Sequence, residues 1–210
     1  MKILNKTLFA TALLLPALAH SASLQELQRD QGNKFEDISY TSFAIEYSMI
    51  EDTEGVGLHA SKLLNDYIFA EIGYDAIESE YSSNENRRMV GSIGARLPVM
   101  FLDDLTDIYG KVSFESNDYT ITKLDDNDET VTHEDTFNFT TFEAGYITDI
   151  INENIFMKLY GSYTTEESFD SQVSYGVELN YHMTRGFSMS AEYANKLGYE
   201  GVILGAKYSW

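Results

Sequence analysis

Along residues 40–210, apolar and polar side chains alternate with a period of two, as in strands with two unlike faces. In TSFAIEYSM, Thr41, Phe43, Ile45, Tyr47 and Met49 share one face. Ser42, Ala44, Glu46 and Ser48 share the other. The pattern recurs at 56–61, 68–75, 89–97, 108–115, 140–146, 155–163, 173–182, 187–195 and 202–210. Together these predict ten strands, with eight as the alternative count. The connections alternate in kind. Those at 63–66, 148–154 and 183–186 are short and contain Asn, Asp or Gly, and 98–107 joins them by position although it is long and apolar. Those at 51–55, 78–88, 120–135, 165–172 and 196–200 are acidic and mostly longer. Short turns at one end and longer polar loops at the other predict an all-β, ten-stranded antiparallel up-and-down transmembrane β-barrel. Asn65 and Arg185 then fall in periplasmic turns and Asp125 to Asp135 outside the cell.

A water-soluble sandwich would also alternate, so the content of the two faces matters. The polar face carries Glu46, Glu71, Glu115, Glu143, Glu178 and Glu192 with Arg96, Lys111, Lys158 and Lys207. In a narrow barrel these ten charges face one another across the lumen and are expected to pair. The apolar face sorts its aromatics. Tyr47, Tyr74, Phe114, Tyr163 and Tyr193 fall near the ends of outward-running strands, and Tyr146, Tyr181, Tyr208 and Trp210 near the ends of inward-running ones. Two belts of this kind match the two membrane–water interfaces, where an apolar ring with a polar edge is at home. A sandwich has no reason to sort tyrosine to its strand ends on the buried face. The last segment, Val202 to Trp210, is long enough for a tilted spanning strand. Pairing it with the first leaves no strand edge in lipid, and it places Tyr208 and Trp210 at the periplasmic interface.

The chain opens MKILNKTLFATALLLPALA. Lys2 and Lys6 supply a positive start, Leu8 to Leu18 an apolar run too short to span a bilayer, and Ala17-Leu18-Ala19 a small-x-small cleavage site. Residues 1–19 therefore read as a signal peptide. In 20–39, Ser23 with Glu26 forms a capping-box pattern and Gly32 a stop, so this stretch reads as a short helix or a mobile N-terminal segment. The barrel domain occupies 40–210. Asp and Glu number 34 against 14 Lys and Arg, a formal net charge of −20. That balance excludes a nucleic-acid partner. It also calls for divalent cations between the acidic loops and an anionic lipid surface. With no cysteine, disulfides and thiolate metal sites are excluded.

Gly205, Tyr208 and the terminal Trp210 resemble the closing-strand assembly signal of bacterial outer-membrane barrels, although Ile203 stands where that family prefers a polar residue. The units GVGLHASKLLNDYIFAEIGY, GYITDIINENIFMKLYGSY and VELNYHMTRGFSMSAEY resemble hairpins of the small porin-like outer-membrane β-barrels of proteobacteria. The resemblance covers 40–210. It implies insertion by the outer-membrane barrel assembly machinery, contact with outer-membrane lipid and lipopolysaccharide, and a place in a Gram-negative outer membrane. It is nearly silent on activity, because such barrels serve as pores, adhesins, structural proteins and a few enzymes.

Little in the chain suggests catalysis. Of four histidines, His20 is at the cleavage site, and His59 and His182 lie on the polar face of well-separated strands. Only His133, beside Glu134 and Asp135, is a candidate for an acid–base pair at the rim. Asp126 and Asp128 have the spacing that opens an EF-hand loop, but the turn glycine and the twelfth-position Glu are missing. The expectation is therefore a non-enzyme without cofactor or dedicated metal: a porin-like or structural envelope protein with a narrow, charge-lined lumen. One alternative is an adhesin or receptor acting through the acidic loop 120–135. Another is a rim hydrolase using His133.

Overall fold

The computed structural model describes residues 40–79, 84–101, 104–124, 130–151, 154–165, 171–184, 186–196 and 198–210. The segments read as leader and as short helix, and the Asp126–Asp128 pair, lie outside them. Ten strands follow in chain order: β1 (Ser42–Ile50), β2 (Thr53–Asn65), β3 (Ile68–Ser79), β4 (Glu85–Phe101), β5 (Asp104–Leu124), β6 (Thr130–Ile151), β7 (Ile155–Thr165), β8 (Gln172–Thr184), β9 (Phe187–Lys196) and β10 (Tyr199–Ser209). Each is antiparallel to the next. β10 pairs with β1 from Ser42↔Ser209 to Ile50↔Gly201, which closes the barrel. Closure gives every spanning strand a partner on both sides, as backbone in lipid requires.

The two faces are inverted relative to a soluble protein. The buried apolar residues are Tyr40, Phe69, Tyr109, Phe156, Ala194 and Ile203, whereas Asp75, Asp107, Asn117, Thr141, Ser174 and Ser188 are among the buried polar ones. Outside, Ile72 and Val173 are 67% exposed and Met89 and Phe114 64%. An exposed apolar coat over a polar interior fits lipid outside and rules out a sandwich core.

At the end that carries Tyr40 and Trp210 the connections between strands are short. Register shifts at Leu63/Asn65, Asp149/Ile151 and His182/Thr184 each precede a turn. The Asn65 side chain accepts hydrogen bonds from the backbone N–H of Tyr67 and Ile68, both at 2.9 Å, an Asx-type closure. Gly186 supplies the positive φ (80°) of the β8–β9 turn.

Several connections are shorter than the composition suggests. The described residues of the acidic stretch at 120–135 are strand rather than loop: β5 runs to Leu124 and β6 starts at Thr130, in register from Thr106↔Thr148 to Leu124↔Thr130. Neighbours stop earlier, β4 at Thr120 and β7 at Thr140, so this hairpin projects as a two-stranded ribbon. The 98–107 connection is likewise mostly strand, paired to Phe101↔Asp104. Strand also replaces loop at 85–88 and turn at 148–151.

Inward-facing rings are seated over glycines. Phe69 lies opposite Gly94, where an added Cβ would stand 2.3 Å from its ring. Tyr160 lies opposite Gly176 in the same way, at 2.5 Å. Close approach of ring to backbone is what glycine permits here, and it lets bulky side chains fill a narrow interior.

Candidate functional site

The interior of the barrel is the candidate site, and it has three layers. Nearest the end that carries Trp210 is an aromatic cluster of Tyr40, Phe69, Tyr109 and Phe156, with Leu63, Ile147 and Tyr160 packed against it. Tyr40 and Phe69 stack at 4.6 Å and Phe156 meets His182 at 4.8 Å. Arg96 sits at this level. It pairs with Asp107 of the adjacent strand at 3.0 Å, donates from Nε to the Asp66 carbonyl at 3.1 Å, and lies 5.0 Å from the Tyr40 ring centre. Arg96 thus pairs along the wall, with a carboxylate of the neighbouring strand.

The middle layer is an alternating chain of charges. Glu71 and Lys111 pair at 2.9 Å, Lys111 and Glu143 at 3.5 Å, Glu143 and Lys158 at 3.7 Å, and Lys158 and Glu178 at 3.8 Å. Glu71 is on β3 and Lys111 on β5, so this link bridges over β4. Tyr109 donates to Glu143 at 2.8 Å, Tyr160 to Glu192 at 2.5 Å, and the Asn180 amide to Glu178 at 2.9 Å. Lys158 lies over the rings of Tyr109 and Tyr160. Rings and charges together line a cavity of about 110 Å³, Tyr40, Phe69 and Phe156 from the cluster and Lys207, Lys111, Lys158, Glu71 and Glu178 from the charged layer. That volume holds a few waters.

In the far layer Arg88 clamps Asp75 at 2.7 Å and reaches Glu115 at 3.5 Å. His59 bridges Asp75 at 3.0 Å and Glu46 at 3.5 Å. Thr141 donates to Glu115 at 2.9 Å. Buried charges are tolerated because each has partners of opposite sign.

Sequence reading did not single out Asp75, Arg88 or Asp107 as lumen charges, nor the aromatic cluster as a plug. The signal was present. Arg88 shares the parity of Ser92 and Arg96, and Asp107 that of Lys111, but both fell in stretches read as connections.

On the outer face Tyr74, Phe114, Tyr146, Tyr163, Tyr181, Tyr193 and Trp210 are exposed. Tyr47 and Tyr208 are half-buried. Tyr47 donates to Glu54 on β2, and Tyr208 stacks on Trp210 at 6.0 Å. Tyr175 stands in the same outward row. Gly205, the first residue of the closing-strand signal, faces inward beside Glu46 and Ser190. His133 lies on the projecting ribbon, 3.1 Å from Asp135, with side chains 72% and 47% exposed. Among the described residues, three or more His, Asp or Glu side chains nowhere gather as a metal site.

A family model for the outer membrane protein beta-barrel domain matches residues 7–201. The chain belongs to that family. As a member it is a β-barrel protein of the Gram-negative outer membrane. Among solved structures, the KdgM porin is 14% identical, with 81% of this chain and 99% of that one covered at a TM-score of 0.49. The NanC porin is 9% identical, with 80% and 99% covered and a TM-score of 0.45. The beta domain of the Bordetella autotransporter BrkA is 10% identical, with 82% and 100% covered and a TM-score of 0.45. Comparison with curated protein sequences finds no match.

Proposed function

We propose that this porin-like barrel has a narrow lumen, closed to solutes of sugar size and leaking small cations at most. The layered interior supports this reading: an aromatic cluster at one end, then the chain Glu71–Lys111–Glu143–Lys158–Glu178 lining the wall from β3 to β8. Among the described residues, nine acids (Glu46, Glu71, Asp75, Asp107, Glu115, Glu143, Asp149, Glu178, Glu192) stand with six bases (Arg88, Arg96, Lys111, Lys158, Lys196, Lys207) along the inward face. The excess favours cations. Single-channel recording of purified protein in planar bilayers tests the reading. The expected result is a small conductance whose reversal potential in a salt gradient favours cations. A large, non-selective conductance would make it a general porin instead.

In the same reading the leader 1–19 is cleaved on export, and the assembly machinery inserts the chain among lipid and lipopolysaccharide. Divalent cations bridge its acidic surface to that layer. A second role is favoured by the ribbon, which carries acidic side chains past its neighbouring strands: an adhesin or receptor contact at 120–135. The exposed His133–Asp135 pair on the same ribbon supports the hydrolase alternative only by its proximity. Deleting 120–135 separates these roles, because a structural or porin-like barrel keeps its function without the ribbon.

A further inference from the structure

We propose that the free edge of β6 on the projecting ribbon binds a lysine- or arginine-bearing extended segment of another protein as an added strand. This rests on the receptor or adhesin reading of 120–135 and names its partner.

The edge is ordered and open. β7 ends at Thr165, and its neighbour there is Thr140, so among the described residues no strand lies beside β6 from Thr130 to Phe139 on that side. On its other side β6 stays in unbroken register with β5 as far as Leu124↔Thr130. Cross-strand contacts stiffen the ribbon: Thr136 donates to Asp118 at 2.8 Å, and the Phe137 and Tyr119 rings meet edge-on at 5.6 Å. A held strand with one unpaired side presents a row of backbone donors and acceptors, which is what strand addition uses. Proteins commonly blunt such an edge with proline, a bulge or short length. The stretch TVTHEDTFNF at 130–139 contains no proline, and its pairing with β5 has no bulge.

What the edge carries is charge of one sign. Glu134 and Asp135 are exposed on it, and 130–139 contains no Lys or Arg. The sequence joining the two strands adds Asp125, Asp126, Asp128 and Glu129, against Lys123 alone. His133 stands 3.1 Å from Asp135, and both side chains remain exposed. This charge turns away a second copy of the chain, because pairing two β6 edges about a twofold axis sets Glu134 and Asp135 against the same acids. It suits a cationic strand. Successive side chains alternate between faces, so Glu134 and Asp135 lie on opposite faces, and Phe137 and Phe139 share the face of Asp135. The segment that fits therefore has two adjacent basic residues, preceded by apolar residues at alternate positions. Laid antiparallel to β6, the peptide VTVTKKTT sets its lysines opposite Asp135 and Glu134 and its valines opposite Phe137 and Phe139.

The test is fluorescence anisotropy of labelled VTVTKKTT with the full chain in detergent micelles at low salt, with heat-modifiable mobility as the check on folding of each variant. VTVTKKTT is expected to bind. VTVTEETT should not, and neither should VTVTKKTT with its central amides N-methylated. Glu134→Gln combined with Asp135→Asn should weaken binding about tenfold, the effect of losing two exposed charge contacts. Deleting 120–135 should abolish it. If the N-methylated peptide binds as well as the plain one, charge alone holds it and strand addition is overturned. Equal binding of VTVTEETT overturns the cationic partner. If no peptide binds, the added strand is overturned, and the receptor reading is judged separately by whether the deletion changes adhesion of whole cells. Binding that survives the deletion removes the ribbon as the site. Dimerisation of the full chain that the deletion abolishes would make the occupant a second copy and overturn the proposal.

Discussion

Several inward side chains are held by a feature their own strand does not supply: Phe69 and Tyr160 by the glycine opposite, Lys111 and Arg88 by carboxylates from other strands. At Gly94 an added Cβ would stand 2.3 Å from Phe69. Gly94→Ala should therefore push the ring off its seat and cost about 1–3 kcal/mol through overpacking, read as a lower denaturant midpoint. In the Phe69→Ala background the same change should cost almost nothing, and additive losses would show that the ring and the glycine are not coupled. Arg88 makes the matching case for charge. Arg88→Ala removes the guanidinium from Asp75 and Glu115, which keep His59 and Thr141, and the Arg88 side chain is itself 27% exposed. The loss should then be about 2–3 kcal/mol, short of the roughly 3–5 for a dry pair. Parity along a strand identifies which residues point inward, and Glu71, Lys111 and Glu143 follow from it. It does not give partners. Whether Arg96 meets Glu71 across the lumen or Asp107 beside it depends on register and on where β5 begins, and the apolar 98–107 stretch hid both.

Strand boundaries depend on pairing more than on composition. The stretch at 120–135 is acidic and polar on both faces, which reads as loop. Both faces of a ribbon beyond the bilayer meet water, so alternation vanishes while pairing persists. The Thr and Val residues at 120, 122, 130, 131 and 132 carry the strand propensity. Thr120 and Glu134 lie directly opposite. Cysteines at these two positions should form a disulfide readily in this cysteine-free chain, and cysteines at Thr120 and Thr136, two residues out of register, should form it poorly. Equal cross-linking of both pairs would return the segment to a flexible loop. Orientation is tested on the same elements. A cysteine at Thr132 should react with an impermeant reagent on intact cells and one at Asn65 should not; the reverse pattern would invert the barrel.

The whole molecule depends on one strand pair. β10 joins β1 over nine residue pairs, and without it two edges would face lipid with their backbone groups unpaired. Trp210 stands just past β10. It stacks on Tyr208, its N–H donates to Thr41, and its side chain is 57% exposed on the lipid side. Trp210→Asp keeps that backbone donor but replaces an interfacial ring with a charge beside the apolar coat. An interfacial carboxylate costs little in a finished barrel, about 1 kcal/mol or less. The effect should therefore fall on assembly rather than on stability. Correctly inserted, heat-modifiable protein should drop, while the small fraction that does insert should unfold near the normal midpoint. Normal amounts of inserted protein would show that the ring plays no part in assembly. Normal amounts with a much lower midpoint would place its role in holding the closed barrel together.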